Sequence, residues 1–280
     1  MQAGGRGFES HRLHVMGLAE VVGSVARRLP RGRGHIAVAA MRRWPAASVD
    51  FVDQYGYKRT AGLGDELEAR MWAGATRLPP FASRHVGSGD VVIDVGANVG
   101  ALTAELCHLV GPSGRVLAVE PIPRNLNRLR ELASRNVLPQ LAITDSAASK
   151  AAGTAEIRLP EPGHSGWASF SVSWIDHGRL TVTTERLDDL AARHLGDRRV
   201  GFIKIDVEGH EPEVIEGARR LLTEHRPAVL CEFNDVVLRD IGSSADDLLA
   251  RFAEVGYRPT PDSPQPTQGG VIDVLLTTGA

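Results

Sequence analysis

Cysteine is scarce in this chain: Cys107 and Cys231 are the only two in 280 residues. Both sit inside apolar segments, so they read as buried free thiols. Two cysteines are too few for a cysteine-based zinc framework. That usage favours the cell interior, and the expected location is the cytoplasm. No apolar run reaches the length of a transmembrane helix, so no integral membrane segment is expected. The chain also lacks the cationic start and unbroken apolar core of a signal peptide. An excess of one charge is missing as well. Lys and Arg number 32, Asp and Glu 34, and the formal net charge is -2. With no global basic field, nucleic acid is not an expected partner. Two nucleotide-binding signatures are absent too. Gly96 and Gly100 have no third glycine to complete G-x-G-x-x-G, and no Gly-Lys-Ser/Thr phosphate loop follows a strand.

What is present centres on Val91-Val92-Ile93-Asp94-Val95-Gly96-Ala97-Asn98-Val99-Gly100. The β-branched run predicts a short buried parallel strand. Asp94 interrupts it with a carboxylate that must be paired or meet a ligand. Residues 101–110 follow with Leu102, Leu106, Leu109 and Val110 on one helical stripe. Strand, glycine turn and helix together leave backbone N–H groups free at a helix start. Arg115 to Glu120 predicts a second buried strand ending in an acid. Glu120 lies about twenty residues beyond Gly100, a distance at which an acid accepts hydrogen bonds from ribose hydroxyls. A third strand covers Leu141–Thr144, closed by Asp145 and Ser146. A polar residue there suits an adenine amino group, and equally a turn cap.

Further along, Thr154–Leu159 reads as an added edge strand and residues 160–174 as a long loop carrying His164, Trp167, Phe170 and Trp174. Loops of that length are often lids or binding loops. The aromatics suit an apolar or sugar-stacking surface, and equally core anchors. The first half of Gly201–Glu211 predicts another strand, Glu213–Glu224 a helix, and Pro227–Phe233 the fifth core strand. Strands and helices alternate, which predicts a doubly wound, mostly parallel α/β sheet of Rossmann-like type. Residues 1–48 are basic, with two short helices. They read as a solvated extension or docking arm, with an anionic membrane surface as the alternative. The expected division is 1–77 as an N-terminal helical extension or cap and 78–280 as the catalytic domain.

The second chemical stretch is Ile205-Asp206-Val207-Glu208-Gly209-His210-Glu211. It puts three carboxylates and an imidazole just beyond a strand's carboxyl end, where open α/β sheets bind ligands. His210 is the first candidate for a base, oriented by Glu208 or Glu211, and His164 is the second. No His-Glu-x-x-His motif is present, and no metal is expected.

The run Asp94 to Gly100 resembles the first motif of S-adenosylmethionine-dependent methyltransferases. Taken with Glu120, Arg186-Leu187-Asp188-Asp189-Leu190 and Ile203 to Glu211, the chain resembles the FkbM family of methyltransferases over roughly residues 90–260. The resemblance implies S-adenosyl-L-methionine as cofactor and O-methylation of a hydroxyl on a natural product, such as a macrocycle, or on a sugar. It implies Asp94, Gly96, Ala97, Asn98 and Gly100 at the methionine and ribose end, with Glu120 and Pro121 at the ribose. Asp145 and Ser146 would sit at the adenine, and Asp206 near the methyl group. Catalysis would fall to His210, Asp206 and Glu208. The implied partner is a small-molecule hydroxyl acceptor, and a homodimer stays open. A non-catalytic adenosyl-binding scaffold and another nucleotide-dependent α/β enzyme are the alternatives.

Overall fold

Val91–Val95 forms β3 in the computed structural model, and every one of its residues is buried. The model describes residues 5–279 except Pro30, Ser171, Ser173 and Trp174. Trp174, one of the loop aromatics, therefore lies outside the described residues. Ahead of β3 come helices α1 (Gly5–Arg28) and α2 (Arg33–Arg43) and the hairpin β1 (Ser48–Val52) and β2 (Lys58–Gly62). Helices α3 (Glu66–Trp72) and α4 (Pro80–Ser83) lead into the sheet. After β3 follow α5 (Ala101–Val110), β4 (Arg115–Val119), α6 (Pro123–Asn136) and β5 (Leu141–Thr144). The short β6 (Ala147–Ala148), β7 (Gly153–Leu159) and β8 (Gly178–Glu185) come next, then α7 (Leu187–Leu195). The chain continues through β9 (Phe202–Ile205), α8 (Glu211–Gly217), β10 (Ala228–Asn234), α9 (Asp235–Asp240) and α10 (Ala245–Glu254). Strands β11 (Tyr257–Pro259) and β12 (Val271–Thr278) complete it.

Seven strands make the central sheet in the order β11-β12-β10-β9-β3-β4-β5. Strands β10, β9, β3, β4 and β5 run parallel, and β12 is antiparallel to β10. The expected doubly wound, mostly parallel sheet is therefore the observed one. Connections run outward from β3 in both directions, so the switch point lies between β3 and β9. Ligands bind outside the carboxyl ends at such a point. The register fixes what stands there. Val95 pairs with Val119 on one side and with Ile205 on the other. Gly96, Glu120 and Asp206, each the next residue, therefore emerge at one level. Packing holds this edge firmly: Val92, Ile93, Leu117, Phe202 and Ile203 are fully buried. Each such side chain contributes about 1.5–3 kcal/mol.

Two expectations change. The edge strand expected at Thr154–Leu159 does not join the main sheet. It pairs along its whole length with β8, from Gly153↔Thr184 to Leu159↔Gly178, and with β6 makes a separate three-stranded sheet. The helix expected over Glu213–Glu224 starts earlier, at Glu211 as α8, breaks after Gly217, and resumes into a wider π-helical turn over Leu221–His225. At Gly217 the backbone lies so close to Ser149 that a Cβ would meet its carbonyl oxygen at 2.0 Å.

The N-terminal segment shares a hydrophobic cluster with the central turn. Trp72, Phe51, Leu63, Ala37 and Ala61 pack in one group with Val99 and Ala101. Among the described residues no helix is long and apolar enough to cross a membrane.

Candidate functional site

Gly96 sets the floor of the site. Its φ is +76°, and a Cβ there would meet the carbonyl oxygen of Asp206 at 1.9 Å. Only glycine allows the turn after β3 to lie against the turn after β9. Lys204 ties the two together from below. Its Nζ donates to the Gly96 carbonyl at 2.9 Å and lies 3.2 Å from Asp206 Oδ2 and 3.5 Å from Asp94 Oδ1. Burial works against its charge, but Asp206 and Asp94 outweigh it and hold its pKa above the ordinary lysine value. Asp94 is wholly buried, and Thr103 Oγ1 donates to its Oδ2 at 2.6 Å. It does not line the cavity; it anchors Lys204 and α5 beneath it.

Above this floor is a cavity of about 320 Å³. Gly96, Ala97, Asn98, Glu120, Pro121, Ile122 and Asn125 line one end, and Lys204, Asp206, Val207, Glu208 and Glu232 line the part over β9 and β10. Glu120 is gripped from three sides. The backbone N–H groups of Asn98 and Ile122 donate to its two oxygens at 2.8 and 2.9 Å, and Asn125 Nδ2 donates at 3.3 Å. Burial still pushes its carboxyl up to about 7, against those bonds and the Lys204 charge. Three of the roughly four lone-pair sites of the carboxylate are thus taken, and Oε2, which accepts only from Asn98, keeps one.

The loop after β7 covers the opening. Ser165 donates through N and Oγ to the two oxygens of Asp65, at 3.1 and 2.9 Å, and its carbonyl accepts from Asn98 Nδ2 at 3.1 Å. Ser169 Oγ donates to the Glu208 carbonyl at 2.5 Å. His164, Trp167 and Phe170 thereby join the lining, with Glu66, Leu67, Arg70 and Thr76 from the N-terminal segment. His164 Nδ1 lies 3.5 Å from Glu66 Oε2.

The acidic stretch divides. Asp206 and Glu208 face the cavity, whereas Glu211 turns inward and accepts from the N–H groups of Val207 and Gly209, both at 3.2 Å. Burial raises the Glu211 carboxyl to about 7, and burial with the Asp206 and Glu211 charges raises Glu208 to about 8. Glu208 (φ 49°) and Gly209 (φ 96°) reverse the chain, so His210 leaves on the far side. Its ring stacks on Phe170 at 4.1 Å, and its Nε2 shares a hydrogen bond with Ser149 Oγ at 3.1 Å. Burial drops its pKa to about 4, and it is not among the cavity-lining residues.

Of the residues singled out in the sequence, the fold gathers Gly96, Ala97, Asn98, Glu120, Pro121, Asp206 and Glu208 around one cavity. It does not bring His210, Asp145 or Ser146 to it. Asp145 is exposed, 3.9 Å from Arg130, and Ser146 Oγ donates to Glu185 at 2.5 Å. Gly100 serves the turn, with its carbonyl accepting from Arg59 Nη1 at 2.8 Å while Val99 accepts from Nη2 at 2.7 Å. Sequence reading missed Lys204, Glu232 and Arg59. A lysine inside the apolar strand Phe202-Ile203-Lys204-Ile205 was the available signal for the first, and an acid inside the apolar run of β10 for the second. Arg59 carried no local signal.

Residues 94–259, more than half of the chain, match the methyltransferase FkbM domain. No curated protein matches the chain. Among solved structures, methyltransferase FkbM from Methylobacillus flagellatus is similar at 18% identity and a TM-score of 0.46 over 91% of this chain, which spans 57% of that longer one. Aeropyrum pernix fibrillarin, solved with natively bound S-adenosyl-L-methionine, is similar at 14% identity and a TM-score of 0.42, over 68% of this chain and 67% of that one. Precorrin-6y C5,15-methyltransferase from Geobacter metallireducens is similar at 15% identity and a TM-score of 0.39, over 70% and 84% of the two chains. These likenesses are distant, and the match to the domain family decides the assignment: the chain belongs to the FkbM family of S-adenosyl-L-methionine-dependent methyltransferases.

Proposed function

We propose that the protein methylates a hydroxyl oxygen of a natural product or sugar. The observation that carries this reading is one cavity with two chemically different ends: a glycine turn with Glu120 at one, and carboxylates facing the interior at the other. The residues present fit the cofactor. Glu120 is a buried acceptor aimed at a cavity whose volume lies within the range of ligand sites. Gly96, Ala97 and Asn98 would hold the amino-acid tail, and Glu120 with Pro121 the ribose. Ile122 and Asn125 extend the lining beyond Glu120, where the adenine would reach. When bound, S-adenosyl-L-methionine supplies an electrophilic methyl on a sulfonium.

The protein's own task is then alignment and proton removal. A hydroxyl is a poor nucleophile while it keeps its proton. Glu208 faces the cavity beside Asp206 and, once ionised at mildly alkaline pH, is positioned to receive that proton. The loop that carries Trp167 and Phe170 keeps bulk water from the site and offers apolar surface to the acceptor. Residues 1–77 act as a cap, contributing Glu66, Leu67, Arg70 and Thr76 to the wall. Buried free thiols at Cys107 and Cys231 suit a cytoplasmic setting.

Glu120 makes the cofactor half of this reading testable by pH. Its folded pKa is raised, so the unliganded protein holds that proton to about pH 7. Ribose hydroxyls donate better to the carboxylate. Affinity for S-adenosylhomocysteine should therefore rise between pH 6 and pH 8, by up to about tenfold. The sign for stability is opposite. A raised acid favours the folded state while protonated; that contribution is full below the ordinary carboxylate value, fades as pH climbs from there, and is lost by about pH 7. Calorimetric titrations across this range should show the rise, and Glu120→Gln should flatten it. A pH-independent affinity in the unaltered protein would place the ribose elsewhere.

A further inference from the structure

We propose that Asp206, Glu208 and Glu232 form a site for one hard divalent cation at the acceptor end of the cavity. This rests on the methyltransfer reading only for its role; the site itself follows from the side chains. Each residue offers a carboxylate oxygen, and these oxygens lie within 4.8 Å of one another. Small rotamer shifts would bring all three to the 2.0–2.6 Å or so at which Mg²⁺, Mn²⁺ or Ca²⁺ binds oxygen. The scaffold is firm. Cys231 pairs with Ile205 across β10 and β9, so Glu232, held inside β10, stands beside Asp206 just past the end of β9. Asn234 Nδ2 donates to Glu208 Oε2 at 3.3 Å and orients that carboxylate, as outer partners of metal ligands do.

An independent observation points to an occupant. Glu232 Oε2 is out of reach of solvent and takes no hydrogen bond among the described residues. An acceptor left in that state costs free energy unless something pairs with it. Lys204 makes no hydrogen bond to it, although its charge acts there: its Nζ donates to the Gly96 carbonyl and lies 3.2 Å from Asp206 Oδ2 and 3.5 Å from Asp94 Oδ1. Glu211 and Asp273 are further acids whose charges act on Glu232. The donors are all oxygens, with no thiolate or imidazole among them, which selects a hard cation over zinc. Glu208 and Asp206 also face the cavity, so open positions on the cation would point at the acceptor. The acceptor class implied is one with a hydroxyl and a neighbouring oxygen able to complete the coordination, as in polyols and sugars.

Full-length protein stripped with a chelator, then titrated with MnCl₂ by calorimetry and electron paramagnetic resonance, tests this with and without S-adenosylhomocysteine. One Mn²⁺ should bind per chain and be displaced by excess Mg²⁺. Glu232→Gln should weaken it by at least the roughly 10–100-fold that losing an outer partner costs. That variant should keep its thermal shift with S-adenosylhomocysteine, which shows it folded. Glu208→Gln provides the second variant and should weaken Mn²⁺ likewise. No Mn²⁺ binding in either condition, or equal binding by both variants, overturns the cation site whatever the cofactor does. Loss of S-adenosylhomocysteine binding in the unaltered protein would instead overturn the methyltransfer reading and leave the Mn²⁺ result standing.

Discussion

Glu208→Gln should lower methyl transfer by roughly 10²–10⁴-fold, the usual worth of a positioned proton acceptor. The amide keeps the size of the side chain and its contact with Asn234, and removes the charge. Glu208 does not stand with the residues around Glu120, so affinity for S-adenosylhomocysteine should hold. His210→Asn is the informative companion. His210 stacks on Phe170 and bonds Ser149 behind the cavity wall, so its loss should cost about 1 kcal/mol of stability and leave turnover per folded molecule nearly intact. Single-turnover rates with saturating cofactor, alongside melting curves, separate the two. A Glu208→Gln protein that turns over at the unaltered rate would end the assignment. Collapse of turnover in folded His210→Asn would return the base to the imidazole.

Lys204→Met should destabilise the protein by roughly 3–5 kcal/mol, because it leaves Asp94 buried as an uncompensated charge. Asp94 is wholly inaccessible, and its Oδ1 takes no hydrogen bond; Lys204 Nζ at 3.5 Å is the cation it faces. The melting temperature should fall by about 6–20 °C at the size dependence usual for chains of this length. Lys204 also holds the Gly96 carbonyl, so the surviving folded molecules should bind S-adenosylhomocysteine more weakly. The double variant Lys204→Met with Asp94→Asn should recover part of the loss, since neither charge is then buried alone. The pair's contribution is fully present below the ordinary lysine pKa and is lost only as pH rises through the higher folded value, so neutral buffers show all of it. A single variant that melts with the unaltered protein would mean that Asp94 finds its compensation elsewhere.

The glycine turn, Glu120 and Asp206 were legible in the sequence because each closes a short apolar strand, and the pattern of such a strand is local. Parallel pairing then brought the three to one level, as alternating strands and helices predict. Lys204 could have been noticed, since a lysine between Ile203 and Ile205 in a buried strand demands a partner. Its partner Asp94 sits on the neighbouring strand, and the register of two strands is not a local property.

The sequence by itself determined the doubly wound sheet, the family, and the glycine turn and Glu120 that line one end of the cavity. Tertiary structure alone decided which of several adjacent polar residues face the cavity. Asp206, Glu208 and His210 are neighbours in the chain, yet the left-handed turn at Glu208 and Gly209 sends His210 behind Phe170. Asp145 and Ser146 follow a strand just as Glu120 does, but β5 is the edge of the sheet and its end lies away from the switch point. Arg59, Glu66 and Glu232 come from segments far apart in sequence and meet the site only through packing. The physical reason is range. Burial and periodicity act between neighbours along the chain and can be read there, whereas the direction of a polar side chain at a turn is fixed by contacts that exist only once the chain has folded.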